Sequence, residues 1–241
     1  MTKPLRSIVT GAASGIGLAV TRNLKARGDQ VFGVDYQPGS LWMCADLSDS
    51  GQRQEAVKAA LEKLGGIDVL INVAGIYRPT PVESSDPKDW REVWAINLEA
   101  PLELMSLCFG SMKEQGFGRV VNITSVHARA SRLDCLAYDV GKAGLEAATR
   151  SFALSGAPHG ILVNAVAPGF VRTQMSLNEM GVDEADTEQF QEEYVKTGRL
   201  PLGRAAMPEE VAESVGWLSS RANSYTTGQT FTIDGGLTAT F

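Results

Sequence analysis

The 241 residues suit one large α/β domain, long enough to bury a continuous sheet between helices. Composition is that of an ordinary globular protein, 44% hydrophobic and 21% charged. A formal net charge of −6 argues against a nucleic-acid partner, and no run approaches the roughly 18 apolar residues of a membrane span.

Short apolar runs alternate with helix-length amphipathic stretches along the chain. Ser7 to Thr10 reads as a strand, and Gly15 to Ala26 as a helix closed by Gly28. Gln30 to Val34 is a second strand ending at Asp35, and Leu41 to Ala45 a third ending at Asp46. Gln52 to Leu64 has helical spacing and stops at Gly65-Gly66, before a strand from Asp68 to Val73. One long helix is expected from Lys88 to Met112, then a strand from Arg119 to Ile123 and a helix from Leu136 to Ala157. Ile161 to Val166 is strand-like, the segment from Pro168 to Gly198 is polar and irregular, Glu209 to Leu218 is helical, and Thr230 to Ile233 is the last strand. Strand–helix alternation with nearly all-apolar strands implies a doubly wound parallel sheet of Rossmann type. It forms a single domain over residues 1–241, with a substrate loop or lid at about 171–200.

Lys3 and Arg6 precede an apolar run too short and too broken for a secretion signal, so a cytoplasmic protein is expected. Cys44, Cys108 and Cys135 lack CxxC spacing and read as free thiols. His127 and His159 are the only histidines, and without an HExxH pattern or a Cys/His cluster no metal is expected.

Thr10 to Gly17 lies where the first strand turns into the first helix. Gly11 permits the tight turn, Gly15 lets the backbone approach a pyrophosphate, and Gly17 permits close helix–sheet packing. The helix start offers unpaired N–H groups and a positive dipole end to an anion. Asp35, at the tip of the second strand, can accept from ribose hydroxyls and would repel a 2′-phosphate. No Lys or Arg stands at Ala12, Ala13, Ser14 or Tyr36 to offset that repulsion, which favours NAD over NADP. A turn-forming Asp before Pro38-Gly39 is the plainer alternative.

Tyr138 and Lys142, four apart on a helix, share one face. Lowering a phenol from about 10 to about 7 takes roughly 4 kcal/mol. One ammonium about 4 Å away supplies about that much at an effective dielectric near 20. Lys142 is therefore expected to make Tyr138 acidic enough to trade protons beside a hydride-carrying cofactor, with Ser125 at a strand end stabilising charge on the substrate oxygen.

The pattern resembles the short-chain dehydrogenase/reductase family over essentially the whole chain. Thr10-Gly-x-x-x-Gly-Ile-Gly17 has that family's glycine spacing. Asp46-Leu47 is similar to its adenine-contacting pair, and Asn72-Val73-Ala74-Gly75 to the element that supports sheet and cofactor. Pro168-Gly169-Phe170-Val171-Arg172-Thr173 resembles its nicotinamide-holding loop, and Thr227-Gly228-Gln229 with Asp234-Gly235-Gly236 its closing segment. The resemblance implies a catalytic tetrad of Asn97, Ser125, Tyr138 and Lys142, with Asn97 holding a water that connects Lys142 to solvent. It also implies cofactor contacts from Gly11, Ser14, Gly15, Ile16, Gly17, Asp35, Asp46, Leu47, Asn72, Ala74 and Gly75. Tyr138, Lys142, Pro168, Gly169, Val171 and Thr173 complete that set. One departure stands out: Asp139-Val140-Gly141 replaces the small residues common before the lysine, and Gly141 either loosens the helix or admits another subunit.

Family specificity resides in the loop after the serine and the segment after Pro168. His127, Arg129 and Arg132 make the loop polar, which suits a small hydroxylated or carboxylated substrate. Ser-Val-His resembles some sugar dehydrogenases, and an arginine at 132 some dihydrodiol-carboxylate dehydrogenases; each residue is alternatively a surface or packing side chain. Met175, Leu177, Met180 and Phe190 could line a helical lid or belong to a solvent-covered helix pair. Family practice implies a homo-oligomer, a tetramer or a dimer. The leading expectation is NAD-dependent oxidation of a secondary alcohol on a small polar metabolite: a sugar, sugar acid or dihydrodiol. The alternatives are a 3-oxoacyl-thioester reductase and, from another class, a non-catalytic NAD-binding sensor or scaffold.

Overall fold

Seven short apolar segments pair in parallel into one sheet of order β3-β2-β1-β4-β5-β6-β7 in the computed structural model, which describes residues 3–178 and 180–239. The strands are β1 (Arg6–Thr10), β2 (Gln30–Asp35), β3 (Trp42–Cys44), β4 (Val69–Asn72), β5 (Gly118–Ile123), β6 (Ile161–Pro168) and β7 (Thr230–Ile233). Strand order reverses between β1 and β4, so the crevice beyond their carboxyl ends is where a doubly wound sheet takes its ligand.

Side chains alternate across the sheet with period two, and each strand feeds two cores. Ile8, Leu70 and Val120 face α2 (Ser50–Leu64), α4 (Ala100–Gln115) and α5 (Leu136–Gly156). Their neighbours Val9, Val69, Ile71 and Val121 face α1 (Gly15–Ala26) and α7 (Pro208–Leu218). No helix among the described residues is long and apolar enough to cross a membrane.

The long helix expected over 88–112 is interrupted. α3 (Pro87–Trp94) passes into a π-turn, Ala95–Glu99, before α4 begins. Pro101 is the physical reason: it has no N–H for the Asn97 carbonyl four residues back, and its ring crowds that carbonyl. The segment after β6 also differs from a helical lid. It consists of short 3₁₀ turns, a single α-turn (Glu188–Phe190) and a π-turn (Gln191–Lys196). Of its expected apolar stripe only Phe190 is buried, while Met175, Leu177 and Met180 are exposed. Phe190 instead packs with Phe170 and Tyr194, ring centroids 4.8–5.2 Å apart, in a small core of its own.

Gly141 lies inside an unbroken α5 and faces inward. A Cβ there would make ordinary contacts, 3.4 Å from Asn97 Cβ and 3.5 Å from Trp94 Cδ1, so this face of α5 lies against the π-turn of the same chain. Trp94 Nε1 closes that contact by donating to the Ala137 carbonyl at 3.0 Å.

At the opposite end of the sheet, Arg6 grips Asp68 with two side-chain bonds of 2.8 Å, and its backbone N–H donates to the same carboxylate at 2.9 Å. Both side chains are largely buried. Asp68→Ala leaves a buried guanidinium unpaired and should cost roughly 3 kcal/mol or more in urea unfolding followed by circular dichroism. A loss below about 1 kcal/mol would show this clamp between β1 and β4 to be no stronger than a surface pair.

Candidate active site

The turn from Thr10 to Gly17 is held from both sides. Thr10 Oγ1, buried under the loop, accepts from the Val73 and Ala74 N–H groups at 3.0 and 3.1 Å, which ties the end of β1 to the end of β4. Gly17 cannot carry a side chain, because a Cβ would stand 2.0 Å from the Gly11 carbonyl oxygen. A Cβ at Gly15 would meet Thr173 Cγ2 at 3.1 Å, so a bare, narrow cradle separates the turn from the segment after Pro168. Ser14 is the N-cap of α1 yet makes no capping bond through its side chain, which leaves the first-turn N–H groups open to an anion. Ile16 packs into the core shared with α1.

Asp35 ends β2 with its carboxylate accepting from the Ala13 N–H at 3.0 Å and the Gln37 N–H at 3.0 Å. Each oxygen keeps lone-pair capacity for a further donor. Asp46 is exposed and accepts from the Ser48 N–H at 2.8 Å. Leu47 turns its side chain into the core, so only its backbone can face a ligand. Asn72 is likewise buried: its amide donates to Asn122 at 2.8 Å, and Asn122 donates to Thr149 at 2.9 Å. It therefore links β4 to β5 and α5, with its own carbonyl oxygen unpartnered. Gly169 donates to the Ile233 carbonyl at 2.9 Å beside Pro168, and Val171 forms a bridge with Ala206.

Ser125, Tyr138, Lys142 and Asn97 converge where β5 ends against α5 and the π-turn. The half-buried Tyr138 ring lies 5.6 Å from Lys142 Nζ, and its phenol oxygen receives a hydrogen bond from the Ser125 hydroxyl. Lys142 is buried and donates to the Ile123 carbonyl at 2.8 Å. Asn97, fully buried, clamps the Ile76 backbone, accepting from its N–H at 2.8 Å and donating to its carbonyl at 2.8 Å. Gly75 sits between these groups, since a Cβ there would meet Asn97 Oδ1 at 3.3 Å and Lys142 Nζ at 3.5 Å.

The electrostatics differ from the sequence-based expectation. Burial pushes the Tyr138 phenol up to about 12, with only the Ser125 hydroxyl acting strongly the other way. Burial also pushes the Lys142 amine down to about 8. A pairwise Coulomb argument counts the attraction of an ammonium for a phenolate and omits the cost of desolvating each. Protein alone therefore holds both groups toward neutrality, the phenol as a proton donor.

Both arginines of the loop after Ser125 are paired with acids. Arg129 Nε donates to the buried Glu146 at 3.1 Å, and Arg132 Nη1 donates to Glu184 of the segment after β6 at 2.9 Å. His127 stays at the site: its backbone N–H donates to Ser125 Oγ at 3.1 Å and its ring stands edge-on to Tyr138, centroids 5.6 Å apart. Its Nδ1 lies 2.7 Å from Asp139 Oδ1. Cys135 completes a group whose candidate ligand atoms lie within 4.8 Å of one another. Nitrogen and oxygen ligands of one tetrahedral zinc, each about 2 Å from the metal, stand farther apart than 2.7 Å, so His127 and Asp139 are spaced as a hydrogen-bonded pair.

Tyr77, Thr10 and Asp139 are site residues that sequence reasoning passed over. Tyr77 stacks edge-on against Tyr138, centroids 5.8 Å apart, and burial is the main reason its own phenol stands at about 12. Two of them had a readable signal, Thr10 as the residue that opens the glycine motif and Asp139 as a charged residue where the resembling family has a small one.

Comparison with known proteins agrees with this architecture. The profile of the enoyl-(acyl carrier protein) reductase family matches residues 11–238. Cis-4-hydroxycyclohexanecarboxylate dehydrogenase from Sinomonas cyclohexanicum is 34% identical, the match covering 97% of this chain and 96% of the relative. A 3-oxoacyl-[acyl-carrier-protein] reductase from Thermotoga maritima is also 34% identical, covering 95% and 96%. The ligand-free structure of Thermoplasma acidophilum aldohexose dehydrogenase superposes with a TM-score of 0.89 at 27% identity, over 99% of this chain and 96% of that one. The chain belongs to the short-chain dehydrogenase/reductase family, oxidoreductases that act on CH–OH groups with a nicotinamide cofactor.

Proposed function

We propose that this protein is an NAD-dependent dehydrogenase that oxidises a secondary alcohol on a small polar metabolite: a sugar, a sugar acid or a dihydrodiol. The observation that carries the proposal is the convergence of Tyr138, Ser125 and Lys142 beside the bare glycine turn, with the amine 5.6 Å from the phenol ring. A bound nicotinamide dinucleotide would supply the hydride acceptor and, when oxidised, a positive charge beside the phenol.

Within that assignment each residue has one task. Tyr138 takes the hydroxyl proton during oxidation and returns it during reduction. Ser125 accepts from His127 through its oxygen and donates its hydroxyl hydrogen to the Tyr138 phenol, a bond that a bound substrate oxygen would take over. Lys142, anchored on Ile123, keeps further N–H donors for ribose hydroxyls. Asn97 has its carboxamide on Ile76, so a water leading from Lys142 would sit on its main-chain carbonyl, which Pro101 deprives of its helical donor. The glycine turn and the first turn of α1 receive the pyrophosphate, and Asp35 the adenosine ribose. We further propose a homo-oligomer, for which the exposed Leu154 of α5 and Trp217 of α7 are available contacts.

A 3-oxoacyl-thioester reductase is the second reading, favoured by the Thermotoga maritima relative. Asp35 opposes it through the cofactor, and the net charge of −6 opposes it through the acidic carrier such an enzyme must dock. Screening polyols, aldoses and hydroxy acids with NAD⁺, by absorbance of the reduced cofactor, tests the leading reading. A protein active only on thioesters would replace it.

Three outcomes are expected. Tyr138→Phe lowers turnover by at least about a thousandfold while dinucleotide binding, read by fluorescence titration, survives; unchanged turnover removes the phenol from the mechanism. The wild type prefers NAD over NADP by roughly a hundredfold in kcat/KM, and Asp35→Ser narrows that ratio to within about tenfold. Equal use of both by the wild type would assign Asp35 to loop geometry alone.

The third concerns pH. The folded Lys142 holds its proton less tightly than the unfolded chain, with values of about 8 and 10.5. Between those values the unfolded state binds more protons, so wild-type stability should rise with pH through that window, and the penalty is in full force below it. Lys142→Met should therefore be more stable than wild type at pH 7, by roughly 3 kcal/mol at most, with the advantage shrinking toward pH 10. Parallel urea curves for both proteins across that range would contradict the buried amine.

A further inference from the structure

Every basic side chain on the loop after Ser125 has a carboxylate partner. Arg129 is matched by Glu146, Arg132 by Glu184 and His127 by Asp139, at 3.1, 2.9 and 2.7 Å. An anionic substrate entering beside Ser125 finds no unmatched cation on this loop. A hydrogen-bond acceptor is what remains. An ionised carboxylate has only lone pairs, so in the contact with Asp139 the proton must be on Nδ1. A neutral ring held that way has one polar atom left, Nε2, which keeps its lone pair and has no hydrogen-bond partner among the described residues. The ring is packed edge-on against Tyr138, centroids 5.6 Å apart, and its backbone is fastened to Ser125 Oγ at 3.1 Å. The acceptor is thus carried by a residue that touches both groups handling the reacting oxygen.

We propose that His127, oriented by Asp139, is a subsite for a hydroxyl group vicinal to the reacting carbinol, so that vicinal diols are the preferred substrate class. The inference rests on the dehydrogenase reading above and deepens it. Oxygens on adjacent carbons lie about one hydrogen-bond length apart. A substrate oxygen between the Tyr138 phenol and Ser125 therefore brings its neighbour within reach of an adjacent side chain. The Asp139–His127 pair with a neutral ring carries one net negative charge, which welcomes an O–H donor and repels a carboxylate. Asp139 acts only through the ring and is a positioning residue. It also gives a use to the charged residue that follows the catalytic tyrosine in place of a small one.

The test compares kcat/KM for cyclohexane-1,2-diol (cis and trans), cyclohexanol and 4-hydroxycyclohexanecarboxylate in the wild type, His127→Phe, Asp139→Asn and Asp139→Glu. The wild type should favour one diol over cyclohexanol by roughly ten- to a hundredfold, mainly through KM. His127→Phe keeps an aromatic ring against Tyr138 and should bring the ratio to within about threefold of unity. Asp139→Asn should remove most of the preference and Asp139→Glu should restore part of it. Long-range ¹H–¹⁵N NMR of the wild type should show His127 protonated on Nδ1, a state lost in Asp139→Asn. A diol preference unmoved by His127→Phe, or a ring protonated on Nε2, overturns the inference while leaving the dehydrogenase intact. A preference for the carboxylate that vanishes in His127→Phe overturns it in favour of an anion subsite. Failure to oxidise any alcohol with either dinucleotide sinks the dehydrogenase reading itself, and the NMR result then decides the state of the pair independently of turnover.

Discussion

Everything at the site follows from placing an amine and a phenol on adjacent turns of one helix and then covering both. Desolvation disfavours whichever form is charged, so it raises Tyr138 and lowers Lys142 together. Each departs by about two pKa units, worth roughly 3 kcal/mol. With only protein present the phenol keeps its proton, and the amine, at about 8, still carries its charge near pH 7 at the cost of desolvation. The groups around them are neutral hydrogen-bonders: Ser125 on the phenol and the Ile123 carbonyl on the amine.

A covered pair of this kind needs rigid walls, and the walls are made by polar side chains that hold backbone. Thr10 takes the two N–H groups that leave β4, and Asn97 takes both polar atoms of Ile76 a few residues on. Between them they hold three N–H groups and one carbonyl of the short stretch after β4, which belongs to no strand. Gly75 then lets that stretch approach Lys142 and Asn97 more closely than a side chain would allow. Asn97 can do this because the π-turn moves it off the regular helical register, and the π-turn exists because Pro101 cannot complete an α-helix. A proline four residues away thus contributes to the geometry around Lys142 without touching it.

Much of this fold was legible in the chain. Gly15–Ala26 and Thr230–Ile233 lie where the hydrophobic period and the neighbouring glycines put them. Tyr138 and Lys142 were legible because a helix brings residues four apart to one face. The π-turn was missed because Pro101 was left inside one continuous helix from Lys88 to Met112, although a proline there has no N–H to complete the ladder. Partners of Arg129, Arg132 and His127 were not legible, since Glu146, Glu184 and Asp139 are set by tertiary packing rather than local spacing. The direction of the pKa shifts was missed for a different reason: sequence spacing reports which charges are near, and it is silent on how much water is excluded.

The segment after β6 shows how the same logic extends beyond Tyr138 and Lys142. Its ion pairs, Arg172 with Asp186 and Arg132 with Glu184, involve side chains roughly a third to a half exposed, and pairs of that kind contribute little net stability. The trio of Phe170, Phe190 and Tyr194 holds the segment, because buried aromatic contacts do not depend on screening by salt. The ion pairs then set its register, one of them joining it to the loop that follows Ser125. Thr173 rests against Gly15 at the near end, so the segment touches the glycine turn and the substrate loop at once. A side chain that alters the aromatic trio would therefore be felt at both.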